Sequence, residues 1–272
     1  MEPLRYGLLQ GGKRLRPLLV YAAGLSLKAR PALLDKAAAA VECVHAYSLI
    51  HDDMPEMDND LLRRGKPTVH ARFGAGRALL TGDALQALAF EILTDDVTPM
   101  DGALTGRLCG ILSRAAGWRG MCSGQMLDME AEGRRISLKE LEKLHACKTG
   151  ALIRAAVGMG VSCAALGESA RSQELYAAFD AYAAALGLAF QIWDDVLDES
   201  GDTKSLGKTA GSDRSRDKST YPALLGLEEA RARALSEAGR ACRLLPHGAD
   251  GTDPEGLRLL EELARFSVSR DH

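Results

Sequence analysis

The chain has 272 residues, 46% apolar and 26% charged, which suits a soluble globular protein with a sizeable core. Lys and Arg number 34 against 37 Asp and Glu, so the net charge of −3 argues against a general nucleic-acid binder. The start, Met-Glu-Pro-Leu-Arg-Tyr, lacks the layout of a signal peptide, and no long apolar run predicts a membrane span. The six cysteines form no CxxC and no zinc-ligand spacing with histidine, so free thiols in a reducing cytoplasm are expected.

The sequence reads as helix after helix, with no clean strand alternation and no hairpin signal. Helices are predicted near 14–27, 32–54, 71–92, 100–116, 119–132, 138–166, 171–198, 221–244 and 254–269. Just before the first, Gly11-Gly12-Lys13-Arg14-Leu15-Arg16 places three cations in four residues. Pro31 begins the second, where its missing N–H costs little. Residues 37–51 of that helix are apolar nearly all round, which belongs in the centre of a bundle.

That helix runs into His51-Asp52-Asp53-Met54-Pro55-Glu56-Met57-Asp58-Asn59-Asp60. On an unbroken helix Asp52 and Asp58 would lie about 240° apart. Pro55 disfavours helix at Met54, so a break that swings Asp58 back beside Asp52 is expected. Arg63-Arg64-Gly65-Lys66 follows and offers forks and point charges suited to phosphate.

Gly74-Ala75-Gly76 is a fragment of a dinucleotide fingerprint without a preceding strand. Ser137 and Glu140 make a capping box for the sixth helix. The seventh is again apolar all round over 181–193 and then presents Gln191, Asp194, Asp195 and Asp198. Their i, i+3, i+4, i+7 spacing is one stripe, and stacked like charges are tolerable under a divalent cation. The longest non-helical stretch, 199–220, has the length of a functional loop. Within it Leu206-Gly207-Lys208-Thr209 mimics a Walker ending with the wrong glycine spacing. Two buried helices that both end in carboxylates would deliver acid groups to one end of a cavity.

GGKRLRP, HAYSLIHDDMPEMDNDLLRRGKPTVH, LLTGDAL, GQMLD, KTGALIRAA, GLAFQIWDDVLD and LGKTAGSD…KSTYPALLGL resemble, in order and spacing, the trans-prenyl diphosphate synthases. Bacterial farnesyl diphosphate synthases are the best likeness, over roughly residues 6–230. The resemblance implies an all-α, single-domain bundle over 1–272 around a deep central cavity (the isoprenoid synthase fold), cytoplasmic and usually dimeric. The family usually has one further N-terminal helix, which this chain is expected to lack. Three Mg²⁺ ions are implied, two on Asp52 and Asp58 and the third on Asp194, with Asp195 and Asp198 assisting and Asp53 in the same motif. Arg63, Lys148, Lys208 and Lys218 would hold the allylic diphosphate. Lys13, Arg16, His45 and Arg64 would hold isopentenyl diphosphate, and Thr149 and Gln191 would line the reacting carbons. Tyr47 and Ser48 would set product length near fifteen carbons. Geranylgeranyl or geranyl diphosphate synthesis differs only in cavity depth. A terpene cyclase or a regulatory synthase subunit fits less well, because both acid motifs are intact.

Overall fold

The computed structural model describes residues 1–164, 166–167, 169–200 and 218–270. The described residues are predominantly helical, as expected, with two short strands. Its elements are α1 Glu2–Leu9, α2 Leu15–Leu25, α3 Pro31–Asp52, β1 Leu62–Arg63, β2 Lys66–Pro67, α4 Val69–Phe73, α5 Ala75–Thr94, α6 Gly102–Ala116 and α7 Met121–Ala131. There follow α8 Leu138–His145, a π-helical turn Ala146–Gly150, α9 Ala151–Ser162, α10 Ala170–Ser200, α11 Tyr221–Leu225, α12 Leu227–Leu244 and α13 Pro254–Ser267.

Local chemistry explains the boundaries. Pro31 and Pro254 open α3 and α13. Asp253 caps α13 by accepting from the Gly256 N–H at 2.9 Å. The Ser137/Glu140 capping box is formed in both directions, at 3.3 and 2.8 Å. Two predicted helices are broken by Gly74 and Gly226, whose φ of +91° and +86° no helix accommodates. The sequence reading did not anticipate α1, nor the small hairpin, whose two-residue strands pair Leu62 with Pro67 and Arg63 with Lys66. Arg64 and Gly65 both take positive φ there, 54° and 71°, as a tight hairpin turn requires. The predicted helix 138–166 ends at Ser162 and is interrupted by the π-turn.

α3 packs on α2 and α5, α9 on α2, α6 and α10, and α10 on α12. Leu34, Val41 and Val44 of α3 and Leu186, Ala189 and Ile192 of α10 are fully buried. By length and composition alone α10 could cross a membrane, and half of its most apolar window is buried inside the bundle. All six cysteines are free; Cys43 and Cys163 are buried, whereas Cys122 is exposed.

Candidate active site

A cavity of about 820 Å³ opens between the C-terminal halves of α3 and α10, within the size range of small-molecule sites. Its first wall is the end of α3, which contributes His45, Tyr47, Ser48 and Asp52. Beyond Asp52 the chain turns as Pro55 requires. The Asp58 N–H donates to the Asp52 carbonyl at 2.8 Å and the Asn59 N–H to the Met54 carbonyl at 2.9 Å. Asp58 thus lines the same cavity as Asp52. Burial pushes the Asp52 carboxyl up to about 6; Lys148 opposes this and Asp58 adds to it.

Asp53 points away from this cavity and accepts the fork of Arg63, with Nε at 2.8 and 3.0 Å and Nη2 at 2.7 Å. It anchors Arg63, which does line the cavity. Arg64 reaches back to the Gly11 carbonyl. Arg14, in a left-handed conformation at the start of α2, is held by Glu42 and by the Leu8 carbonyl. Lys13, Arg16 and His45 complete this corner. Burial pushes the Arg16 guanidinium down to about 10, although Glu42 and Asp194 favour its charge. Burial first, then Arg16, Arg64, Arg63 and Arg14, holds the His45 imidazole well below its ordinary value, hence neutral. Lys13, Arg14, Arg16, Arg63 and Arg64 outnumber the two buried carboxylates, Glu42 and Asp53, and leave an excess of positive charge, the signature of an anion site.

The opposite wall is α10. Thr149 donates to Gln191 at 2.9 Å, and Gln191 donates to Asp195 at 3.0 Å. The other Asp195 oxygen accepts the Tyr221 N–H at 3.0 Å. Asp195 therefore fastens α10 to α11 and holds Gln191 over the cavity. Asp194 faces the cavity and accepts from Arg270 at 2.5 Å. Asp198 follows Asp194 one turn along α10, is buried, and is not among the residues that line the cavity.

Between the walls stands Asp128 of α7, which accepts from Lys148 and Lys218, each at 2.7 Å. Lys218 also lies 3.9 Å from Asp58. Burial would raise the Asp128 carboxyl, but the two lysines outweigh it and hold it down at about 2. Lys148 and Thr149 project from the π-turn, a distortion that often marks functional sites. His145, stacked on Tyr221 at 5.7 Å, is pushed by burial down to about 3. Lys208 lies outside the described residues.

The sequence reading missed Asp128, Arg14, Glu42, His145 and Arg270 as site residues. Asp128 carried a signal, since it sits one turn after Gly124 in GQMLD. Arg270 carried none, because only the return of α13 onto α10 brings it there.

Among the described residues no three His, Cys, Asp or Glu side chains form a ready-made metal cage. Such a site still fits Mg²⁺, which keeps waters and takes one or two carboxylates plus substrate phosphates. The raised Asp52 carboxyl beside Asp58, facing a crowd of cations suited to phosphate, has that donor chemistry.

A family model described as polyprenyl synthetase matches residues 1–241. The farnesyl diphosphate synthase of Escherichia coli (strain K12) is 48% identical over 275 residues, covering 100% of this chain and 89% of the relative. A geranyltransferase from Helicobacter pylori, solved with magnesium and isoprenyl diphosphate, is 33% identical with a TM-score of 0.83, covering 98% of this chain and 86% of that one. A polyprenyl synthase from Caulobacter crescentus CB15, solved with calcium and isoprenyl diphosphate, is 30% identical with a TM-score of 0.87, covering 100% and 89%.

Proposed function

Because the chain belongs to the polyprenyl synthetase family, we propose that its cavity joins an allylic diphosphate, dimethylallyl or geranyl, to isopentenyl diphosphate and yields farnesyl diphosphate. The chain is a prenyltransferase with the all-α isoprenoid synthase fold. The observation that carries the proposal is the approach of Asp52 and Asp58 across the broken end of α3, in a cavity also lined by Asp194 and by two groups of cations.

In this reading Asp52, Asp58 and Asp194 hold magnesium. The chemistry that magnesium supplies when bound is neutralisation of charge on the leaving diphosphate. Arg63, Lys148 and Lys218 hold the allylic diphosphate and share that neutralisation. Lys13, Arg16, Arg64 and neutral His45 hold the isopentenyl diphosphate. The allylic C–O bond breaks with its electron pair going to diphosphate, and the isopentenyl double bond attacks the cation. Gln191, fixed by Thr149 and Asp195, orients the reacting carbons. The final proton goes to the departing diphosphate, because His45 and His145, both pushed down by burial, are weak bases. Tyr47, buried at the cavity wall, limits growth to fifteen carbons. A homodimer, three magnesium ions, a role for Asp198, a cytoplasmic location and a single domain over 1–272 are proposed from the resemblance alone.

The test is incubation of the purified protein with Mg²⁺, labelled isopentenyl diphosphate and allylic partners of increasing length, followed by chromatography of the dephosphorylated products. Farnesol as the main product supports the reading. Geranylgeraniol or geraniol moves the chain-length assignment, and no elongation at all overturns the function.

A further inference from the structure

Arg270 lies three residues beyond α13, yet its side chain is buried to 4% exposure and lines the cavity. One η nitrogen donates to Asp194 at 2.5 Å and to the Phe190 carbonyl at 3.3 Å. Its Nε donates to the Ser267 carbonyl at 3.0 Å, and the guanidinium lies 4.2 Å over the Phe190 ring. The Trp193 indole donates to the Arg270 carbonyl at 3.0 Å and pins the tail. Phe190, Trp193 and Asp194 thus form one receptor on α10 for the end of the chain.

A guanidinium this buried needs a carboxylate partner, and Asp194 is that partner. We propose that Arg270 is the resident counter-ion of Asp194, and that magnesium must displace it, so that tail docking and metal loading oppose each other. The proposal rests on the reading that Asp194 binds magnesium. Two cations competing for one carboxylate are linked reciprocally: a docked Arg270 weakens the metal by the same factor by which bound metal loosens the tail. The tail then reports, at the far end of α13, whether the α10 side of the site is loaded.

The test uses the full chain and magnesium with inorganic pyrophosphate. In a Trp118→Phe background Trp193 is the one remaining tryptophan, so its emission follows the tail. Calorimetry gives the affinity, and far-UV circular dichroism checks the fold of each variant. Parent protein is expected to shift its Trp193 emission on loading. Arg270→Gln should bind about fivefold tighter or better, with little shift, and Arg270→Lys should fall between. Trp193→Phe, read by calorimetry alone, should also tighten binding, by loosening the tail without touching the charge. In an Asp194→Asn background the gain from Arg270→Gln should vanish. Equal or weaker binding by Arg270→Gln, in a protein that binds normally and depends on Asp194, overturns the competition alone. Parent-like binding by Asp194→Asn overturns the metal reading of Asp194, and the competition with it.

Discussion

The Asp58 N–H donates to the Asp52 carbonyl at 2.8 Å, closing a turn where a continuous helix would have set the two residues on different faces. Pro55 forces that turn, because it disfavours helix at the residue before it. Pro55→Ala lets α3 propagate and draws Asp58 away from Asp52. A displacement of about 1 Å costs up to about 10²-fold in turnover, so kcat/KM is expected to fall by about ten- to a hundredfold. The Mg²⁺ concentration for half-maximal rate should rise together with that loss. A fall in rate with an unchanged Mg²⁺ requirement would detach Asp58 from metal binding.

Asp128 gives a pH prediction. Its carboxyl is pulled by Lys148 and Lys218, against burial, from 3.8 down to about 2. A depressed folded value stabilises the fold above the unfolded value and loses that contribution as pH falls. The contribution, about 2 kcal/mol, is complete above pH 4 and disappears between pH 4 and 2. Asp128→Asn should therefore be less stable than wild type at pH 7, with the two proteins converging in acid. Urea melts at pH 7, 4 and 2.5 measure this directly. A constant difference at all three would show that the lysines do not set the Asp128 charge.

Much of the site was legible in the sequence, because it depends on local rules. Pro55 announced the turn that returns Asp58, and the apolar run 37–51 announced the buried helix that carries it. What was not legible depends on tertiary partners. The stripe Gln191, Asp194, Asp195, Asp198 gave the spacing but not the contacts that tie Asp195 to Gln191 and to the Tyr221 N–H. The π-turn at Lys148 has no periodic signature, since one extra residue in a turn leaves the apolar pattern on either side intact.

Tyr47 tests the depth of the cavity. It is 6% exposed, lines the cavity and stands edge-on to His51 at 5.8 Å between ring centres. Tyr47→Ala removes the ring and opens space for another five-carbon unit. It should shift the product profile towards twenty carbons, at a cost of about 3 kcal/mol in stability. Chromatography of dephosphorylated products measures the shift. A stable variant with an unchanged profile removes Tyr47 as the stop.

Gly124 tests the coupling of α7 to the π-turn. A Cβ there would meet the Lys148 backbone N at 2.1 Å and Cα at 2.4 Å. Both are main-chain atoms, so no side-chain rotation relieves the clash. Gly124→Ala must push α7 off the π-turn and move Asp128 away from Lys148. The expected cost is about 1–3 kcal/mol of stability. Turnover should fall by about a hundredfold, because Lys148, proposed to hold diphosphate, shifts with its backbone. Gly106 of α6 is the control, since a Cβ there meets nothing within 4 Å. Gly106→Ala should stabilise the protein by about 0.5–1 kcal/mol and leave turnover unchanged. Opposite signs for one substitution at two helical glycines isolate the close approach to Lys148 as the cause. Equal effects at both would mean that the α7 contact is not what positions the lysine.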